Sequence, residues 1–299
     1  MKNRLLYVLL YGVSLIPLRG LHLISDVISY VVYHWIGYRK HVVLSNLAIA
    51  FPEKSEQERA DIAKQFYRNF TDAMLESIKL ISASDALIDR MFYASPEILK
   101  VFEGTEKNIQ IHAMHNFNWE IVNLGVSKMM PMTFLGVYQP IINPFFENLF
   151  KKIRTRYGTV LIPANDFKNN FLPHQDKQYA LALVADQNPG LPSKAWWLNF
   201  FGKPAPFVMG PEKAARMRDT VVVFGYFYPI KRGVYSFTAE RITDDIASMQ
   251  PGDLTKKYIK YVEEKVRERP SNYLWSHRRW KHPYKPEYSD LTLEELNLS

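Results

Sequence analysis

The chain has 299 residues, 38 Lys and Arg against 30 Asp and Glu for a formal charge of +8, and no cysteine. Apolar residues at 47% and charged residues at 23% exclude a largely disordered chain. The absent cysteines exclude disulfides, thiolate-bound zinc, iron–sulfur clusters and a cysteine nucleophile. A basic chain with 18 Tyr, 18 Phe and 6 Trp suits an anionic partner: nucleic acid, anionic lipid or a phosphorylated substrate.

After Lys2 and Arg4 comes an apolar run, Leu5 to Leu18, followed by no small-residue cleavage site of the kind that ends a signal peptide. As helix it would be about 21 Å long, short of the ~30 Å hydrocarbon core. Leu21 to Ile36 is a second apolar stretch. Its polar or amphipathic positions are His22, Ser25, Asp26, Ser29, Tyr33 and His34, spaced as one helix face, with Leu23, Ile24, Val27, Ile28, Val31, Val32 and Trp35 opposite. Residues 1–40 carry Lys2, Arg4, Arg19, Arg39 and Lys40 against the single acid Asp26, so cations bracket the apolar runs. That pattern reads as a cytoplasm-facing anchor over residues 1–37, with the second helix on the membrane or packed on the domain rather than spanning. The competing reading makes both helices the buried edge of a soluble core. Residues 38–299 form the remaining domain.

Residues 56–82 read as one long helix, with Ile62, Phe66, Phe70, Met74 and Ile78 recurring every four residues and Ser55 and Glu58 spaced for a capping box. Strands are expected at 109–114, 132–138, 159–162 and 179–184. A longer pair, 220–228 and 234–241, is joined by a turn at Lys231–Gly233. Helices are expected at 118–130, 144–157, 165–177, 205–218 and 253–269. This alternation predicts an α/β fold: a mixed, mostly parallel central sheet flanked by helices, with one antiparallel pair. Residues 286–299 are acidic and read as a loose tail.

The sequence HNFNWE places His115 five residues before Glu120. The spacing is uninformative alone, since His282 and Glu287 repeat it. Context separates the two pairs. His115 ends a strand candidate and Glu120 falls in the first turn of a helix, where α/β sheets place ligands; His282 lies between prolines with neither element. A carboxylate turning back from the helix could fix the His115 tautomer and leave the other ring nitrogen as a general base. On residues alone the pair reads equally as an ordinary loop histidine and a first-turn acid. His112 reads as a core histidine. There is no glycine-rich phosphate loop, no GxSxG elbow and no HExxH. The tract WSHRRWK (Trp275–Lys281) mixes basic and aromatic residues, but seven residues without a binding fold are a poor basis for nucleic-acid recognition.

At HNFNWE the sequence resembles the bacterial lipid A biosynthesis acyltransferases, the late lauroyl/myristoyl transferases. They are related to the glycerolipid acyltransferases that share a His-x4-acid motif. The other blocks follow in order along nearly the whole chain: the basic-flanked N-terminus, Tyr38–Arg59, YQPIINPFF from Tyr138, RTRYG from Arg154, ADQNPG from Ala185, FFGKPA from Phe200, Gly210–Pro211, and YLWSHRRWK from Tyr273. The resemblance implies a glycerolipid acyltransferase-like fold with N-terminal hydrophobic helices, and an acyltransferase domain over 38–299. It implies an O-acyltransferase of lipid A and lipopolysaccharide biosynthesis, on the cytoplasmic face of the bacterial inner membrane. Its donor would be an acyl-carrier-protein thioester, with acyl-CoA as the alternative, and its acceptor a lipid A precursor or other anionic lipid. It implies no metal, no redox cofactor and no nucleic acid.

In that scheme His115 deprotonates an acceptor hydroxyl and Glu120 orients and polarises it. Arg154 binds phosphate or steadies the oxyanion, Asp186 orients Arg154 or substrate, and Arg156 makes a second phosphate or surface contact. One departure stands out: where the family has Tyr-Arg-Pro, this chain reads Tyr138–Gln139–Pro140. An amide cannot supply the charge of a guanidinium grip on phosphate, so Gln139 leaves the acceptor open. The alternatives are another acceptor (a lysophospholipid, a glycosylated phosphoinositide or an amino-acid lipid) or a non-catalytic lipid-binding protein on the same scaffold.

Overall fold

The computed structural model describes residues 2–298. Two helices, α1 (Lys2–Leu15) and α2 (Leu18–Val31), open the chain, and α2 continues as a π-helical turn to Ile36. The two axes bend by 110° at the break. They are followed by α3 (Lys40–Ala50) and the long α4 (Glu56–Lys79). The expected capping box starts α4: the Glu58 N–H donates to Ser55 Oγ, and the Ser55 N–H donates to the Glu58 carboxylate at 2.8 Å.

The expected apolar stripe on α4 holds for its first half, where Phe66 is buried, and fails at Met74, which is exposed. Beyond Phe70 the buried side carries Thr71, Asp72, Glu76, Ser77 and Lys79. The reason is the partner. This half of α4 packs against α2, and α2 turns its polar face inward. His22 and Ser25 are buried, whereas Leu23 and Val27 are 69% and 66% exposed, along with Ile24, Tyr30, Trp35 and Ile36. Ser25 Oγ donates to Thr71 Oγ1 at 2.9 Å, and the Arg232 guanidinium bridges Asp26 and Asp72 at 2.8 and 2.7 Å. Lys79 Nζ caps the end of α1 through the carbonyls of Ser14 and Ile16. The N-terminal helices and α4 thus pack together across residue 37.

The helix α5 (Asp85–Met91) leads into a seven-stranded sheet. Its strands are β1 (Phe92–Tyr93), β2 (Ile109–Ala113), β3 (Thr133–Tyr138), β4 (Val160–Pro163), β5 (Tyr179–Val184), β8 (Val221–Lys231) and β9 (Val234–Thr243). They lie in the order β1-β9-β8-β2-β5-β3-β4. All adjacent pairs are parallel except β8 with β9, as the alternation predicts. The central β2 is buried on both faces, with Ile109, Ile111 and Ala113 on one and Gln110 and His112, 2.6 Å apart, on the other. On one face pack α5, α6 (Trp119–Met129) and α7 (Pro144–Arg154). On the other pack α3, α4, α10 (Asp253–Glu268) and the hairpin of β6 (Ala195–Phe200) with β7 (Lys203–Val208).

Three expectations are corrected. The helix expected over 205–218 is β7 followed by α9 (Gly210–Arg218). Pro204 and Pro206 are tolerated in β7 because, two apart, their missing N–H groups point the same way, and a two-stranded hairpin leaves one such side unpaired. The helix expected over 165–177 is only α8 (Phe167–Phe171) between 3₁₀ turns. The tail is docked: Tyr288 stacks on Trp197 at 5.2 Å, and the Leu293 N–H donates to the Trp197 carbonyl. Tyr288 and Leu293 supply the apolar hold that a count of acidic residues does not register.

Candidate active site

The register of two neighbouring strands builds the site. In the parallel pair β2–β5, Ala113 faces Val184. Two residues further along each strand direction stand His115 and Asp186, side by side although 71 positions apart in sequence. His115 Nδ1 lies 2.7 Å from Asp186 Oδ1, and the same oxygen accepts the His115 backbone N–H at 3.2 Å. One carboxylate oxygen thus fixes both ring and loop. The contact places the ring proton on Nδ1. Nε2 has no hydrogen-bond partner among the described residues, and the ring lines the cleft, an arrangement in which that nitrogen can accept a proton.

Asp186 is fully buried. Burial pushes its carboxyl up, but the adjacent His115 imidazole and its hydrogen bonds outweigh that, so it is held below the ordinary carboxylate range.

This corrects the sequence expectation for Glu120. Its carboxylate does not reach the His115 ring. Arg154 Nε donates to both Glu120 oxygens, at 3.2 and 2.9 Å, Arg154 Nη2 donates to Oε1 at 2.5 Å, and Trp119 Nε1 donates to Oε1 at 3.0 Å. The cause is geometric: Glu120 belongs to the first turn of α6, facing the end of α7, while the His115 ring turns toward β5. Asp186 likewise holds His115 rather than Arg154. Arg154 is raised above its usual range: burial lowers it, and the Glu120 contact more than compensates. Its Nη1 has no hydrogen-bond partner among the described residues.

Arg156 stands apart from this centre, bonding the Ala83 carbonyl and Asp85 at the surface. Gln139 lies at the mouth of the same cleft as His115, Glu120 and Arg154. That cleft has a volume of about 520 Å³ and runs inward between the sheet and α6, past Ala113, Val122, Val126, Phe134 and Phe237. An apolar channel starting at a histidine ring can accept a hydrocarbon chain with its polar end at that ring.

Sequence reasoning missed the brace behind the dyad. The segment Tyr273–Trp280 crosses both loops. The Leu274 N–H donates to the His115 carbonyl at 3.1 Å, and Asn116 bridges Tyr273. The Asn188 N–H donates to His277 Nε2 at 3.1 Å, and Arg279 Nη1 donates to Asn188 Oδ1 at 3.0 Å. Arg279 is only 1% exposed and lies over the Phe207 ring at 4.0 Å; burial pulls its guanidinium down to about 10. His277 is pulled down to about 4, by burial first and then by Arg279. The basic-aromatic tract thus turns Trp275 and Arg279 inward, which leaves little of it for nucleic acid. His112 is buried as expected, and burial lowers it to about 3.

The profile of the bacterial lipid A biosynthesis acyltransferases matches residues 4–282. The chain belongs to this family. Among curated relatives, this family member is 24% identical over 237 residues to the lipid A biosynthesis myristoyltransferase of Escherichia coli (strain K12), covering 78% of this chain and 72% of the relative. It is 21% identical over 247 residues to the lipid A biosynthesis palmitoleoyltransferase of the same organism, covering 81% and 79%. A search of solved structures finds similarity to the 1-acyl-sn-glycerophosphate acyltransferase PlsC of Thermotoga maritima, with 10% identity, 84% and 97% coverage and a TM-score of 0.37. Family membership makes the protein a lipid acyltransferase.

Proposed function

We propose that the protein transfers a fatty acyl group from an acyl-carrier-protein thioester to a hydroxyl of a lipid A precursor at the cytoplasmic face of the inner membrane. The observation that carries the reading is the His115–Asp186 contact at the mouth of the apolar cleft. His115 Nε2 takes the acceptor hydroxyl proton as the oxygen attacks the thioester carbonyl. The imidazolium so formed is stabilised by the Asp186 carboxylate. The tetrahedral oxyanion lies within reach of Arg154, which Glu120 holds at the cleft, and collapse expels the donor thiolate, which recovers the proton from the ring. The chemistry calls on no metal or redox cofactor.

The outer face of α1 and α2 supports the membrane half of the reading. It is apolar, it carries exposed Tyr30, Trp35 and Tyr38, and it is flanked by Arg4, Arg19, Arg39 and Lys40. No single described helix is long and apolar enough to cross a membrane. With α1 and α2 tied to α4 by buried polar groups, the pair lies in one leaflet in this proposal.

The test is direct. Purified protein with acyl-carrier-protein thioester and tetraacylated precursor should yield a product heavier by one acyl group by mass spectrometry, and His115→Ala should abolish it. Gln139 favours a second reading, an acceptor with fewer phosphates. Transfer to another lipid in an acceptor panel, with none to the precursor, would decide for it. Lipid binding with no consumption of thioester would establish the non-catalytic alternative.

A further inference from the structure

One buried carboxyl group has no part in this chemistry. Glu76, in the last turns of α4, is 0% exposed. It collects three contacts from three distant elements. His22 Nε2 of α2 lies 2.8 Å from Oε1, Tyr235 of β9 donates its hydroxyl to Oε2 at 2.6 Å, and Asn118 Nδ2 donates to Oε2 at 3.2 Å. An unsatisfied carboxyl here would be costly, so the three partners are held as firmly as they hold it.

The Asn118 amide is engaged at both ends. Its Oδ1 accepts the Glu120 N–H at 3.1 Å, which caps α6, while its Nδ2 points to Glu76. The orientation of that amide sets how α6 begins, and the first turn of α6 carries Glu120, the residue that holds Arg154. The loop from His115 to Asn118 is therefore pinned at one end by Asp186 and at the other by Glu76. Of the other two partners of Glu76, Tyr235 is on β9 and His22 is on α2, the helix whose opposite face is bare and apolar.

We propose that Glu76 is a positioning residue that makes the geometry of the catalytic loop depend on how α2 is seated. Lipid against Leu23 and Val27 presses α2 onto α4. His22 then holds Glu76, Glu76 turns Asn118, and Asn118 fixes the first turn of α6. The inference rests on the reading of α2 as a lipid-facing helix and of the loop as catalytic. The neighbouring contacts of Ser25 with Thr71 and of Arg232 with Asp26 and Asp72 are the other polar ties that seat α2 on α4.

The donor–acceptor pattern supplies the test. Asn118→Asp keeps an oxygen for the Glu120 N–H but sets a carboxylate against that of Glu76. Glu76→Gln leaves an amide NH₂ facing either Asn118 or His22, both donors in this arrangement. Combining the two restores one donor facing one acceptor. Each single variant is expected to lower kcat about 10- to 100-fold with the KM for thioester unchanged, as a misplaced group does, and the combination to recover most of the loss.

A second readout needs no substrate. Hydrogen–deuterium exchange of the amides of residues 116–122 should accelerate in Asn118→Asp. It should also accelerate in His22→Ala, which touches nothing in the cleft, and return toward the parent rate in His22→Gln, which keeps a donor. Anionic phospholipid vesicles should slow this exchange in the parent and not in His22→Ala. Unchanged exchange in both Asn118→Asp and His22→Ala, or a combined variant no better than the single ones, overturns the proposal. Because exchange is read without acyl transfer, a wrong acceptor would leave this result standing.

Discussion

The Asp186–His115 contact can be tested by Asp186→Asn, a change of one atom. In the parent, Asp186 Oδ1 accepts from both the ring and the backbone N–H of His115. An asparagine with its amide oxygen in that position makes the same two contacts, so the tautomer and the loop survive and the negative charge alone is lost. Opposite charges about 4 Å apart are worth about 4 kcal/mol at an effective dielectric of 20. At 1.36 kcal/mol per tenfold, losing that stabilisation of the imidazolium slows transfer about 10³-fold. The assay is transfer of a radiolabelled acyl chain from thioester to lipid under kcat/KM conditions, with melting temperature monitored in parallel. A loss below about tenfold in a folded variant refutes the assignment of Asp186 as the carboxylate behind the base. The variant also carries a pH signature. Because the folded Asp186 carboxyl is held below its ordinary value near 3.9, it adds stability above that value which is lost as the pH falls through the folded value. Asp186→Asn should flatten that acid limb.

Three further outcomes are expected. Glu120→Ala leaves the largely buried Arg154 without its carboxylate and should lower unfolding stability by about 3–5 kcal/mol in urea titration, with Glu120→Gln falling between it and the parent. Leu23→Ser with Val27→Ser should reduce partitioning onto anionic liposomes about 100-fold in flotation, at about 1.5 kcal/mol per side chain, while leaving the melting temperature unchanged because both point away from the protein. His277, held neutral well below its unfolded value, contributes stability that is complete above about pH 6.5 and is lost as the pH falls toward about 4, by about 3 kcal/mol at most. His277→Gln keeps an acceptor for the Asn188 N–H and should show a shallower decline over that interval.

The central strands were legible from local pattern alone: Tyr179–Val184 is an apolar run and Ile109–Ala113 an alternation of apolar and polar residues, and neither needs its partner to be recognised. The neighbours of those strands were not legible. Nothing local in the sequence says that β5 lies against β2, and that adjacency alone makes Asp186 the partner of His115. Glu120, only five residues from the histidine, was the nearer candidate by number and the wrong one by direction. The available signal was an acid two residues past an apolar strand, matching a histidine two residues past β2. The amphipathic pattern of α2 was legible too, but not which face the protein would keep. That choice was made by Glu76, Asp72 and Thr71 on a helix some fifty residues away.

The strap formed by Tyr273–Trp280 has a consequence for folding. Its contacts join residues far apart along the chain, with 91 positions between Asn188 and Arg279. Such closures form late, because the freedom of the intervening chain must be lost before the contact rewards it. Until Leu274 reaches the His115 carbonyl and Arg279 reaches Asn188, neither loop has its outer support. The sheet can thus be paired while the loop that carries His115 still moves, and order at that ring is among the last features the fold acquires.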